Sequence, residues 1–242
     1  MAQPKAGVMD GFVGDVVDWF MDSGNWTGID GIPNRMWEHI QMSALAMVIA
    51  SLFAIPIAVV LAHRRLGGSF VVAIVNIGRA VPSFAIIAVS LPITIRMGLG
   101  LGFWPTLLAL LFLAIPPLFS NAHAGISGID PPVVDAARGM GMTETQIMVR
   151  IEVPLAMPVL LAGARVAAVQ VIATATLGAL VAWGGLGRYI IDGFATQDLP
   201  EVFAGGLLVA ILAIAAELAF SVAERAARTT QHSHMSEGLP SR

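Results

Sequence analysis

Three charges stand inside otherwise apolar runs of this 242-residue chain: Arg79, Arg165 and Glu217. A charge in hydrocarbon is costly, so each marks either a functional position or an ion pair. Counted at about 1.5 Å per residue, the three lie at similar depth, which permits an Arg–Glu pair between apolar segments. An arginine there could instead hold a solute carboxylate. Ser83 and Trp183 are the other polar candidates for a pathway. Trp183 suits a membrane-interface anchor better. The second polar concentration is Asp135-Ala136-Ala137-Arg138-Gly139-Met140-Gly141, running on to Ile151-Glu152-Val153-Pro154. Its small residues let a partner backbone come close. Val133, Val134 and Met140 offer an apolar face, and Asp135 and Arg138 offer polar contacts at the rim. That is the chemistry of helix-in-groove recognition.

Covalent chemistry finds no support. No His-Glu-x-x-His or Gly-x-Ser-x-Gly is present, and His39, His63 and His123 are isolated in the sequence, with His63 in a basic flank. There is no cysteine, which removes disulfides and thiol chemistry. No catalytic residue and no metal-ligand set is expected. Lys5 is the only lysine, so the chain has no Gly-Lys-Ser/Thr phosphate loop and cannot hydrolyse ATP itself.

The elements that must carry these residues are membrane helices. The chain is 57% hydrophobic and 12% charged, against roughly 45–50% and 25% for soluble domains. The fold class expected is all-α integral membrane, with about five spans: residues 40–62, 70–95, 103–122, 155–182 and 202–222. Pro82, Pro92 and Pro116-Pro117 should kink or interrupt the second and third, turning those spans toward protein or a pathway. An N-terminal arm (1–39), acidic and without the apolar core of a signal peptide, precedes the membrane domain (40–222, with a loop at 128–155). A polar tail (223–242) follows it, disordered from about Thr229. Net charge is −3, which speaks against nucleic acid as a partner.

Charge and aromatics orient the spans. His63-Arg64-Arg65, Arg138, Arg150, Arg225 and Arg228 fall on one side, and Arg35, Arg96 and Arg188 on the other. Trp19, Trp26, Trp37, Trp104 and Trp183 all fall on the second side. The positive side faces the cytoplasm, which puts the N-terminus outside, the C-terminus inside and the 128–155 loop in the cytoplasm. Within the loop, Asp130 reads as an N-cap before Pro131. A first helix runs to about Met140, and Gly141 ends it in a left-handed conformation. Thr143 and Gln146 match a capping box. A second helix runs to about Glu152, and Pro154 marks the turn into the membrane.

The loop's spacing resembles the Glu-Ala-Ala loop of ABC importer permeases: Asp135-Ala136-Ala137, then Gly141, Ile151 and Pro154 at the family's intervals, with Asp135 in place of Glu and Val153 in place of Leu. Val153–Arg165, Gly184-Gly185-Leu186-Gly187 and Asn76–Ser83 resemble permeases of the osmoprotectant branch, which import glycine betaine, choline, carnitine or proline. The similarity covers about residues 40–222. The resemblance implies a type I, methionine-permease-like fold in a bacterial plasma membrane. It implies a separate cytoplasmic ATP-binding subunit that uses ATP and Mg and grips Asp135, Ala136, Ala137, Arg138, Gly139, Gly141, Ile151 and Pro154. It also implies a second permease copy or paralogue and an extracytoplasmic solute-binding protein, with no cofactor in this chain. Permeases for an amino acid or methionine share the fold and the loop. A secondary transporter is the remaining alternative, without the inverted repeats that would favour it.

Overall fold

A computed structural model describes residues 6–66, 72, 73, 75, 77, 78 and 81–236. Its α-helices are α1 (Ala6–Met21), α2 (Ile32–His63), α3 (Ser83–Arg96), α4 (Phe103–Ser127), α5 (Pro131–Gly139), α6 (Glu144–Ile147), α7 (Val153–Ala175), α8 (Gly187–Thr196) and α9 (Leu199–Ser236). Two 3-10 turns, Ser23–Trp26 and Thr176–Val181, and a π turn, Met148–Glu152, lie between them, and the described residues among 72–78 are helical as well. Strands are absent among the described residues.

Among the described residues, four stretches are long and apolar enough to cross a membrane: Ile32–His63, Phe103–Ser127, Glu144–Val181 and Leu199–Arg228. On α2, Val48, Leu52, Phe53 and Ile57 are each more than half exposed, as are Leu218 and Val222 on α9. Apolar faces this extensive are stable against lipid tails and costly against water. The expected second span lies partly outside the described residues. Its described helix, α3, starts directly after Pro82 and has 14 residues, or about 21 Å at 1.5 Å per residue, short of a 30 Å hydrocarbon core.

The chain divides into two units. One holds Met1–Leu45, Ser83–Leu110 and Val171–Ile214; the other holds Ala46–Pro82, Leu111–Gln170 and Ala215–Arg242. In the first, polar ties join segments far apart in sequence. The His39 Nε2–H donates to the Ile172 carbonyl at 2.9 Å. Glu38 accepts from the Gly185 N–H at 2.8 Å and from Arg35 at 2.8 Å. Gly185 is left-handed (φ +81), a conformation glycine adopts freely. Burial pushes the Tyr189 phenol up to about 12, so it stays protonated and donates to the Asp30 carbonyl at 2.6 Å.

The N-terminal arm is helical and packed. Phe12 and Trp19 meet Phe203 and Tyr189 edge to face. Sequence patterning did not resolve α8, a ten-residue helix whose apolar residues form no run long enough for a span. The tail expected to be disordered from about Thr229 is instead helical to Ser236, as α9 continues, supported one turn earlier by the Glu224–Arg228 pair at 2.6 Å.

The Gly184–Gly187 turn tests this packing. A Cβ on Gly187 would stand 2.2 Å from the Thr176 carbonyl oxygen. Gly187→Ala is expected to cost about 1–3 kcal/mol, read as a lower thermal midpoint of the detergent-solubilised protein.

Candidate coupling site

The 128–155 loop folds as a helical hairpin, α5 followed by α6, within the second unit. Asp130 stands at the N-cap position, but its carboxylate makes no capping bond. The reason is local: Pro131 and Pro132 have no N–H to offer, and the Val133 N–H goes to the Asp130 carbonyl at 3.0 Å. At the other end α5 stops in a Schellman arrangement. Gly141 takes φ +81, its N–H bonds the Arg138 carbonyl, and the Met142 N–H reaches back to Ala137. Thr143 then opens α6 with the expected capping box: the Gln146 side chain accepts from the Thr143 N–H at 2.9 Å, and Thr143 Oγ1 accepts from the Gln146 N–H at 3.4 Å.

The hairpin has its own core. Val134, Ala137 and fully buried Ile147 pack together, with Ile129, Met142 and Ile151 against them. This corrects the sequence reading of the docking face. Ala137 and Val134 are 2% and 7% exposed and hold the hairpin's two helices together. The face left open carries Val133, Ala136, Gly139 and Met140, and a Cβ on Gly139 would meet nothing within 4 Å. Ile151 belongs to the core, which accounts for an apolar residue at its motif position.

Polar groups bind the two helices at the rim. Arg138 forks the Glu144 carboxylate at 2.8 and 3.0 Å and reaches Asp135 at 3.3 Å. The bond to Glu144, foremost, raises the guanidinium's pKa above its ordinary value. Asp135 and Arg138 are therefore joined to each other and remain exposed.

Pro154 does not mark a turn. The hairpin runs on through Met148–Glu152 into α7 as one helical path. In the π turn the Val153 N–H bonds the carbonyl of Met148, five residues back. That wider turn receives Pro154 at the second position of α7, where a ring without an N–H is tolerated.

The apolar-run charges also find partners. Arg165 lies 3.4 Å from Glu217 and 3.6 Å from Glu224. The Arg–Glu pair expected between spans is present, and Glu224 joins it. The pairing favours a structural role for Arg165 over contact with a solute. Arg79 lies outside the described residues. Ser83 opens α3 half-buried, and Trp183 packs edge-on against Phe103 with centroids 5.5 Å apart. Both belong to the first unit, whereas Arg165 and Glu217 belong to the second.

Sequence reasoning missed His63, Glu144, Glu152 and Glu224. His63 Nδ1 donates to Glu152 at 2.6 Å and its Nε2 lies 3.3 Å from Glu144. Spacing held a signal: Glu144 and Glu152 are eight residues apart, and Glu217 and Glu224 seven, so each couple shares a helix face.

Residues 50–229 match the family described as binding-protein-dependent transport system inner membrane component. The chain belongs to this family. It is the multi-pass inner-membrane permease component of an ABC transport system, which sets aside the secondary-transporter reading. The choline transport system permease protein OpuBB of Bacillus subtilis (strain 168) is 36% identical over 79% of this permease and 86% of its own length. The carnitine transport permease protein OpuCB of Listeria monocytogenes is 32% identical over 86% and 91%. Among solved structures, a chain of the MetNI methionine ABC transporter in its inward-facing conformations shares the fold. Its TM-score is 0.70 at 23% identity, covering 79% of this permease and 93% of that chain.

Two outcomes follow for the site. Ala137→Glu should unfold the hairpin, exposing residues 131–152 to limited proteolysis, while Gly139→Asp should leave the digestion pattern unchanged. Arg165→Ala and Glu217→Ala should each lower folded yield in detergent, and the double variant should lose less than the sum of the two, as coupled partners do.

Proposed function

We propose that this permease imports a quaternary-amine osmoprotectant: glycine betaine, choline, carnitine or the related solute proline. The observation that carries the substrate class is the similarity, at 32–36% identity over most of each chain, to permeases named for choline and carnitine transport. A cytoplasmic ATP-binding subunit supplies the energy from ATP and Mg, two permease chains form the pathway, and an extracytoplasmic binding protein delivers the solute. Neither ATP nor any cofactor is held by this chain. The positive flanks and the tryptophans support an N-terminus outside and a C-terminus in the cytoplasm, which puts the hairpin where the ATPase is.

The ATPase docks on the exposed face of α5. Val133, Ala136, Gly139 and Met140 enter its groove, and Asp135 and Arg138 meet its rim, while Gly141, Ile151 and Ala137 shape the hairpin beneath. Closure of the ATPase pair on ATP then moves the hairpin and, through the unbroken helical path of α6, the π turn and α7, rocks the spans between inward- and outward-open states.

Gly139→Asp puts a charge in the middle of this apolar face and is expected to abolish co-purification of the ATP-binding subunit and ATP-driven uptake. Retention of both would refute docking on this face. In proteoliposomes containing the complete importer, labelled choline, carnitine, glycine betaine and proline should be taken up in competition with one another. Uptake of methionine in their place would refute the substrate class.

A further inference from the structure

His63 is the last residue of α2, and nothing in the docking face or the apolar-run charges requires it. Its side chain is nonetheless 9% exposed and clamped by two carboxylates. Nδ1 donates to Glu152, itself buried in the π turn, at 2.6 Å. Nε2 lies 3.3 Å from Glu144 at the start of α6. Glu144 is the carboxylate that Arg138 forks, and Arg138 reaches Asp135. A continuous polar chain therefore runs Asp135–Arg138–Glu144–His63–Glu152. It begins on the exposed rim of the hairpin, passes through His63 at the end of α2, and closes on Glu152 in the π turn.

Open space flanks this link. Cavities of about 740 and 380 Å³ flank His63. The first separates Val60, Arg64 and Arg65 from Asp135 and Thr145. The second separates Ala62 and Arg65 from Ile129 and Val134. Where side chains do not fill the space between two elements, a displacement of one passes to the other through whatever bonds bridge it. Here the bridge is the imidazole of His63, held at both ring nitrogens.

We propose that His63 is a positioning residue for transport: it carries the movement of the hairpin to the end of α2, in parallel with the direct path through α7. The inference rests on the reading of the hairpin as the ATPase handle. In that arrangement one side of the hairpin pushes α7 along its own helical path and the other side pulls α2 through the imidazole, so two spans move on one stroke. Without His63 the ATPase would still dock and turn over, and α2 would lag behind the hairpin.

The test uses the complete importer, permease with its ATP-binding subunit and binding protein, reconstituted in proteoliposomes, with ATP hydrolysis and solute uptake measured in parallel. His63→Ala is expected to retain the ATP-binding subunit and to keep hydrolysis within about twofold, while uptake per ATP falls by roughly three- to thirtyfold, the span of single-residue coupling energies. His63→Asn, whose amide nitrogen stands where Nδ1 does and can still donate to Glu152, should recover part of that ratio. Glu152→Gln should lower it, which provides a reading if the alanine variant folds poorly. An unchanged ratio in His63→Ala, or hydrolysis and uptake falling together in proportion in all three variants, would overturn the proposal. Gly139→Asp in the same assay separates the two readings, because it removes the ATP-binding subunit itself. If Gly139→Asp left that subunit bound, the docking reading would fail whatever the His63 variants did.

Discussion

A charged group carried on an apolar helix has little water to fall back on and is stabilised where another part of the chain meets it. That constraint organises both units of this permease. Arg165 on α7 is answered by Glu217 and Glu224 on α9. His39 on α2 is answered by a carbonyl of α7, and Glu38 by the backbone of the Gly184–Gly187 turn. Between helices with smooth apolar faces, packing alone allows sliding and rotation. A charged or hydrogen-bonded tie does not, because a shift of one residue would strand both partners.

The hairpin solves a different problem. A helix of 9 residues, α5, is too short to persist on its own in water. Its rigidity comes from Ile147 seated against Val134 and Ala137, from the glycine stop at Gly141, and from Arg138 forked onto Glu144. Small residues in this motif therefore have two separate jobs. Ala137 is small because a neighbouring helix lies against it, whereas Ala136 and Gly139 are small on the side that a partner can approach.

Much of this was legible in the residues, and the gaps have physical causes. Long apolar runs announce spans because length and hydropathy are local properties. The Thr143 box and the Gly141 stop were readable because capping is settled within four or five residues. What could not be read was which face of the Asp135 helix turns inward, since α5 opens on two prolines, ends at glycine, and its apolar residues meet a partner helix that only the fold identifies. His63 was passed over because its partners lie 81 and 89 residues away and no periodicity links them. The Arg–Glu pair was legible because Arg165 and Glu217 stand alone in apolar runs, whereas Glu224 falls in the polar tail, after the apolar run has ended. The uncapped Asp130 shows the limit of a motif read without its neighbours: the two prolines after it remove the donors an N-cap would serve.

The π turn Met148–Glu152 holds one residue more than an α turn would in the same place. On a helix each residue advances the direction of its side chain by about 100°. The extra residue therefore sets the azimuth of the hairpin about the axis of α7, bringing Glu152 to His63 and Ile151 to the hairpin core. The heading of the hairpin's open face is thus encoded in a residue count and in no single side chain. Substitutions along the turn would leave that heading alone, whereas a chain one residue shorter there would keep the same surface chemistry and aim it about a quarter-turn away.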